Sequence, residues 1–268
     1  MPGIYVMAVI TIAASALLWG GILMAMSGQG KRYLWLLIPA MPLSAVVNLL
    51  VKTPLAFGAG WLFKLPPNTG SAPPAFMAFL FLLAPVCEEA IKLLPFVGCR
   101  IRAFLDHPVN ALWAGMALGI GFGLGEAAYL AWGIAQSPEY SSLPWYLFTG
   151  YAGERMMVCL AHGAMTAVAA GGLQRGGWHG LLGYLTSVAL HALLNVGAAL
   201  YQFGVISVVA AQLPTVVAII GLVLLFERRL HAAMASPGAP DAAKEIVYFR
   251  RESEQTNEPI AASANHRP

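Results

Sequence analysis

LAPVCEEAIKLLPF, residues Leu83 to Phe96, places Glu88, Glu89 and Lys92 inside an apolar run long enough to cross a bilayer. Each ionisable side chain at membrane depth costs roughly 2.5 to 3.5 kcal/mol even on the gentler insertion scales, so such a cluster demands a compensating use. At helical pitch Glu88 and Lys92 stand one turn apart on one face, with the glutamate on the N-terminal side, the favourable order for an ion pair. Glu89 points about 100° away. The expectation is a helix whose lysine holds Glu88 while Glu89 is free to face a partner helix.

Such a helix requires a bundle around it, and the composition supplies one. Of the 268 residues, 59% are hydrophobic and 10% charged, and the mean hydropathy is +0.70, values outside the range of soluble domains. The fold class is therefore all-α, a polytopic transmembrane helical bundle in the lipid bilayer. Seven apolar runs qualify as spans: 4–26, 33–51, 75–98, 110–134, 151–171, 180–201 and 206–226. The first has no basic residue before it and no small-residue cleavage site, so it is read as a retained helix and not a signal peptide. Alternate connections carry Lys31 and Arg32, Arg100 and Arg102, Arg175, and Arg228 and Arg229. This bias sets the N terminus outside and the C terminus in the cytoplasm. Lys52 and Lys64 run against it, Lys52 being read as a side chain snorkelling from a helix end.

Residues 1–226 thus form the bundle and 227–268 a cytoplasmic tail, rich in Ala, Pro and charge from Ser236 and expected to be disordered, with 246–249 able to dock on the membrane face. The connection 52–74 is punctuated by Gly and Pro and is read as a linker, an interfacial lid being the alternative. Trp145 and Tyr146 fall where an aromatic belt is expected. Cys87, Cys99 and Cys159 form no CxxC pair and are read as packing residues, not a disulfide framework. Gly115, Gly119 and Gly123, with Gly121 and Gly125 on a second row, make the fourth helix a close-packed central one. The small net charge of +3 says little about partners, and no nucleic-acid partner is expected.

Polar residues recur at depth on four helices. At 1.5 Å per residue Glu88, His162 and His191 lie about 15, 14 and 16 Å from the cytoplasmic ends of their helices. Glu126, Asn195 and Arg155 lie about 24, 22 and 24 Å from the same side. The pattern describes a polar cavity running from mid-membrane towards the outside. His191 and Asn195 share a face, as do Arg155 and His162, and Phe122 and Glu126. Hydrolysis of a peptide bond in a membrane needs an admitted water, a carboxylate or imidazole to activate it, and a donor such as Asn or His for the oxyanion. A single buried His or Asn is more often an interhelical hydrogen bond, and Glu154 with Arg155 more often a structural ion pair. Three carboxylates and two imidazoles at depth exceed what structural glue requires.

These motifs resemble the PrsW family of intramembrane proteases, related to the CAAX-processing and bacteriocin-processing membrane endopeptidases. The EExxK motif is Glu88, Glu89 and Lys92, the FxxxE motif is Phe122 and Glu126, and the histidine helix is His191 to Asn195; the resemblance covers about residues 75–200. It implies an intramembrane peptidase of the cytoplasmic membrane, acting at site 1 on single-span membrane proteins such as anti-sigma factors. The catalytic set it implies is Glu88, Glu89, Glu126, His191 and Asn195: Glu88 or Glu89 activates water and Asn195 stabilises the oxyanion. Lys92 and Arg155 support them, and His162 is added on depth and chemistry. Where the CAAX branch usually has histidine, this chain has Glu126, which argues against prenylated substrates. No HExxH is present. A metal-free glutamate mechanism is favoured, with zinc on His162, His191 and Glu126 as the alternative. The rival readings are a non-catalytic scaffold of the same fold and a proton-coupled transporter.

Overall fold

A computed structural model describes residues 1–63 and 73–238. Among these residues there is no strand, and the long helices are α1 (Gly3–Ser27), α2 (Gly30–Leu62), α3 (Pro74–Leu93), α4 (Pro108–Ala135), α5 (Thr149–Arg175), α6 (Trp178–Gln202) and α7 (Val208–Met234). Six of the seven are long and apolar enough to cross a membrane; the exception is α3, whose 20 residues include Glu88, Glu89 and Lys92. The chain is a multi-pass membrane protein. The seventh span read from the sequence, 75–98, is therefore not among the candidate spans of the described residues. Lys64 and the tail beyond residue 238, including 246–249, lie outside the described residues.

α4 is the hub. It packs against α5, α2 and α1, and every residue from Val109 to Gly125 on it is buried. Its two glycine rows explain how. A Cβ on Gly115 would stand 2.7 Å from the Ala167 backbone, and one on Gly123 2.8 Å from Cys159, so this row seats α5 in antiparallel register. The second row, Gly121 and Gly125, brings the backbone equally close to Leu37 and Met41 of α2, which runs parallel to α4. Close backbone approach of this kind drives helix association in lipid. α6 closes on α5 through Ser187 Oγ, which donates to the Met165 carbonyl at 2.6 Å. It closes on α3 through Tyr184 Oη, which donates to the Val86 carbonyl at 2.9 Å.

α2 departs from expectation. The second span does not end at residue 51: helix continues to Leu62, and Lys52 lies inside it. The junction is a π-helical turn, Val47–Lys52, placed just before Pro54, whose missing N–H and ring a regular α-turn would not accept. Of the Gly and Pro that read as linker signals, Pro54, Gly58 and Gly60 lie within this helix, and residues 64–72 lie outside the described residues. α3 ends where Pro95 enters a 3₁₀ turn, Leu94–Val97, and α7 runs eight residues past the expected end, to Met234.

Candidate active site

Glu88, Glu89 and Lys92 lie buried on α3 in the middle of the bundle. The lysine donates to Glu89 Oε1 at 2.6 Å, not to Glu88. Three-residue and four-residue spacings are both neighbours on a helix, so the choice was made from outside α3. Lys52, reaching over from the π-turn of α2, donates to Glu88 Oε1 at 2.6 Å. Sequence reasoning missed Lys52 because it read a helix end there. The signal that could have found it was the positive charge on the side where the basic-residue bias forbids one.

Glu89 is the most enclosed of the three. Its Oε1 also meets His191 Nδ1 of α6 at 2.7 Å. Lys92 Nζ extends to His162 Nδ1 of α5 at 2.7 Å and lies over the Phe122 ring, 4.6 Å from its centroid. On its other side, His162 Nε2 meets Glu126 Oε2 of α4 at 3.0 Å. The same Glu126 oxygen accepts from Arg155 at 3.0 Å, and Arg155 also pairs with the exposed Glu154 at 2.7 Å. The two imidazoles stack edge to face with centroids 5.2 Å apart.

These bonds dictate protons. A lysine ammonium has no lone pair, so His162 Nδ1 accepts from it and Nε2 carries the hydrogen donated to Glu126. His191 Nδ1 facing the Glu89 carboxylate is the donor, which leaves its Nε2 lone pair free. With both imidazoles neutral, Lys52, Lys92 and Arg155 balance Glu88, Glu89 and Glu126. That neutrality makes the cluster tolerable in low dielectric. His191 Nε2 faces Glu88 Oε2 at 3.8 Å, and among the described residues that carboxylate oxygen has no hydrogen-bond partner.

The structure thus gathers Glu88, Glu89, Lys92, His162, His191, Glu126 and Arg155 into one connected network. Asn195, one turn beyond His191, is half-buried, and among the described residues no hydrogen bond ties it to the network. The expected zinc set of His162, His191 and Glu126 is not one of the close groupings. Glu126 and Lys92 hold opposite nitrogens of His162. The groupings with ligand atoms within 4.8 Å of one another are Glu89, His162 and His191, and Glu88, Glu126 and His162. Donor types and spans suit zinc, but the Lys92 ammonium already bridges Glu89 and His162 in the first grouping. Lys52 and Arg155 hold the carboxylates of the second. In both groupings cations of the chain hold one oxygen of each carboxylate, while Glu88 Oε2 and Glu89 Oε2 have no hydrogen-bond partner among the described residues.

A family model for PrsW family intramembrane metalloproteases matches residues 10–225. The chain belongs to that family. No curated protein and no solved structure matches it. PrsW membership makes this chain a membrane protease, and the match takes in helices on both sides of the motif-bearing core.

Proposed function

We propose that this PrsW-family protein hydrolyses peptide bonds of single-span membrane proteins of the cytoplasmic membrane, anti-sigma-factor-like in class, by a metal-free glutamate mechanism. The observation that carries the reading is the pairing of Glu88 Oε2, buried and without a partner, with His191 Nε2 3.8 Å away. A water about 2.8 Å from each atom donates one hydrogen to the carboxylate and one to the imidazole. Its lone pair is then directed at a carbonyl carbon. Glu88 takes the proton as the water oxygen bonds to that carbon, and later delivers it to the departing amine.

The other residues position. Lys52 anchors Glu88 Oε1 and turns Oε2 towards His191. Glu89 holds His191 in the tautomer whose Nε2 can accept. Lys92, His162, Glu126 and Arg155 keep Glu89 fixed and the cluster neutral. Asn195, on the His191 face of α6, donates to the oxyanion. The Lys92 ammonium supplies the positive charge beside Glu89 and His162 that a metal would otherwise bring.

The test compares cleavage of a single-span membrane substrate in detergent by wild type, Glu88→Gln and chelator-treated protein. Cleavage lost with the substitution and kept with the chelator is the expected result. Loss in the chelator, restored by zinc, overturns the metal-free mechanism. Cleavage by a folded Glu88→Gln variant removes Glu88 as the base.

A further inference from the structure

A second charged feature sits at the end of the bundle where α4 begins and α5 and α7 finish. A cavity of about 160 Å³ opens there, and Arg175 from the last turn of α5 and Arg229 from α7 both line it. Among the described residues no carboxylate lines it. Arg175 and Arg228 are close enough to Arg229 to repel its charge. Pro108, the first residue of the 28-residue α4, is part of the wall, so the positive pole of that helix adds to the two guanidiniums. Ser236 also lines the cavity, its hydroxyl donating to the Ala233 carbonyl at 2.6 Å and meeting His107 Nε2 at 3.3 Å. The nearest acid on the connection into α4, Asp106, accepts from Asn110 at 2.8 Å.

Beneath the charged mouth the wall is apolar: Leu112 and Val168 are buried side chains of α4 and α5. A mouth with two guanidiniums over an aliphatic floor between membrane helices matches one chemistry, a phosphate ester on a hydrocarbon chain. Guanidinium forks bind phosphate oxygens bidentately. Clusters of positive charge at the cytoplasmic end of helices attract anionic lipid. We propose that this cavity binds the headgroup phosphate of an anionic phospholipid, clamped between Arg175 and Arg229, with the glycerol end against Leu112 and Val168. The bound lipid would join α4, α5 and α7 at the end opposite Glu126, independently of the peptidase chemistry.

Native mass spectrometry of the full chain from an uncharged maltoside detergent tests it, with phosphatidylglycerol, phosphatidylcholine of the same chains, or inorganic phosphate added. The expected result is saturable phosphatidylglycerol binding that Arg229→Gln weakens about tenfold, the usual scale for one bidentate charged contact. Arg175→Gln, at an exposed helix end, should weaken it likewise and serves if Arg229→Gln does not fold. Arg100→Gln with Arg102→Gln, exposed charges on the connection leading to Pro108, should leave binding unchanged. Equal binding of phosphatidylcholine, undiminished binding by folded Arg variants, or equal loss from the Arg100 and Arg102 pair would each overturn the site. Displacement of the lipid by millimolar inorganic phosphate would make it a free-phosphate site and overturn the lipid assignment.

Discussion

The mid-bundle cluster and the Arg175–Arg229 cavity handle charge in opposite ways. At the centre each of three carboxylates meets a cation of the chain, Lys52 with Glu88, Lys92 with Glu89 and Arg155 with Glu126. At the bundle end two arginines share a cavity lined by no acid among the described residues. The difference follows depth. An unpaired charge in low dielectric costs several kcal/mol, so the interior is assembled neutral from five helices. Near water the same imbalance is cheap and remains available to a ligand. The centre therefore spends its charge on holding side chains still, and the rim keeps its charge for binding.

That contrast can be broken from the centre outward. Glu88→Gln is isosteric and should lower kcat by about 10³, the middle of the range for a lost general base, with helical content unchanged by circular dichroism. Lys92→Met leaves Glu89 as an uncompensated buried charge and should cost about 3 to 5 kcal/mol of stability, read from unfolding in mixed micelles. If stability is unchanged, the neutral-cluster account fails. Gly119→Ala pushes a methyl into the His162 backbone and should cost about 1 to 3 kcal/mol by overpacking, while Gly133→Ala, with open space around it, should cost almost nothing. Lys52→Met should lower kcat about tenfold, the worth of one charged hydrogen bond, with KM unchanged and activity largely restored by Lys52→Arg. A shift in KM instead would make Lys52 a substrate contact. Chelation has the smallest effect: none on cleavage is expected, and stoichiometric metal in active purified protein would show Lys92 displaced from its place between Glu89 and His162.

Much of the fold was legible because it is local or periodic. Apolar runs of bilayer length begin within one or two residues of the helix starts for α1, α3, α4, α5, α6 and α7. The glycine spacing on α4 announced a close-packed central helix, and the structure assigned one row to α5 and the other to α2. Pro54, Gly58 and Gly60 misled, since a π-turn one residue upstream let helix continue through Leu62. Propensity weighs each breaker singly, whereas a turn of altered pitch accommodates the proline's defect at once.

In the candidate site the depths of Glu88, His162 and His191 correctly indicated neighbours, because rise per residue is constant along a helix. Which atoms bond was beyond that reasoning. Glu88 and Glu89 are equivalent partners for Lys92 as far as α3 alone is concerned. Lys52 from α2 and His191 from α6 broke the tie. Depth grouped Glu126 with Arg155 and apart from both histidines; packing set its Oε2 against Arg155 and against Nε2 of His162 as well.

By itself, then, the amino-acid sequence determined that this is a helical membrane protein with a buried EExxK helix and polar partners at matching depth. Hydropathy, helical pitch and residue type are properties of single segments. Only the tertiary structure decided that Lys52 belongs to the site, that Lys92 pairs with Glu89, and that Arg175 and Arg229 converge. Ion pairing across helices depends on the rotation and register of separate segments, which close packing of backbones sets and no single segment encodes.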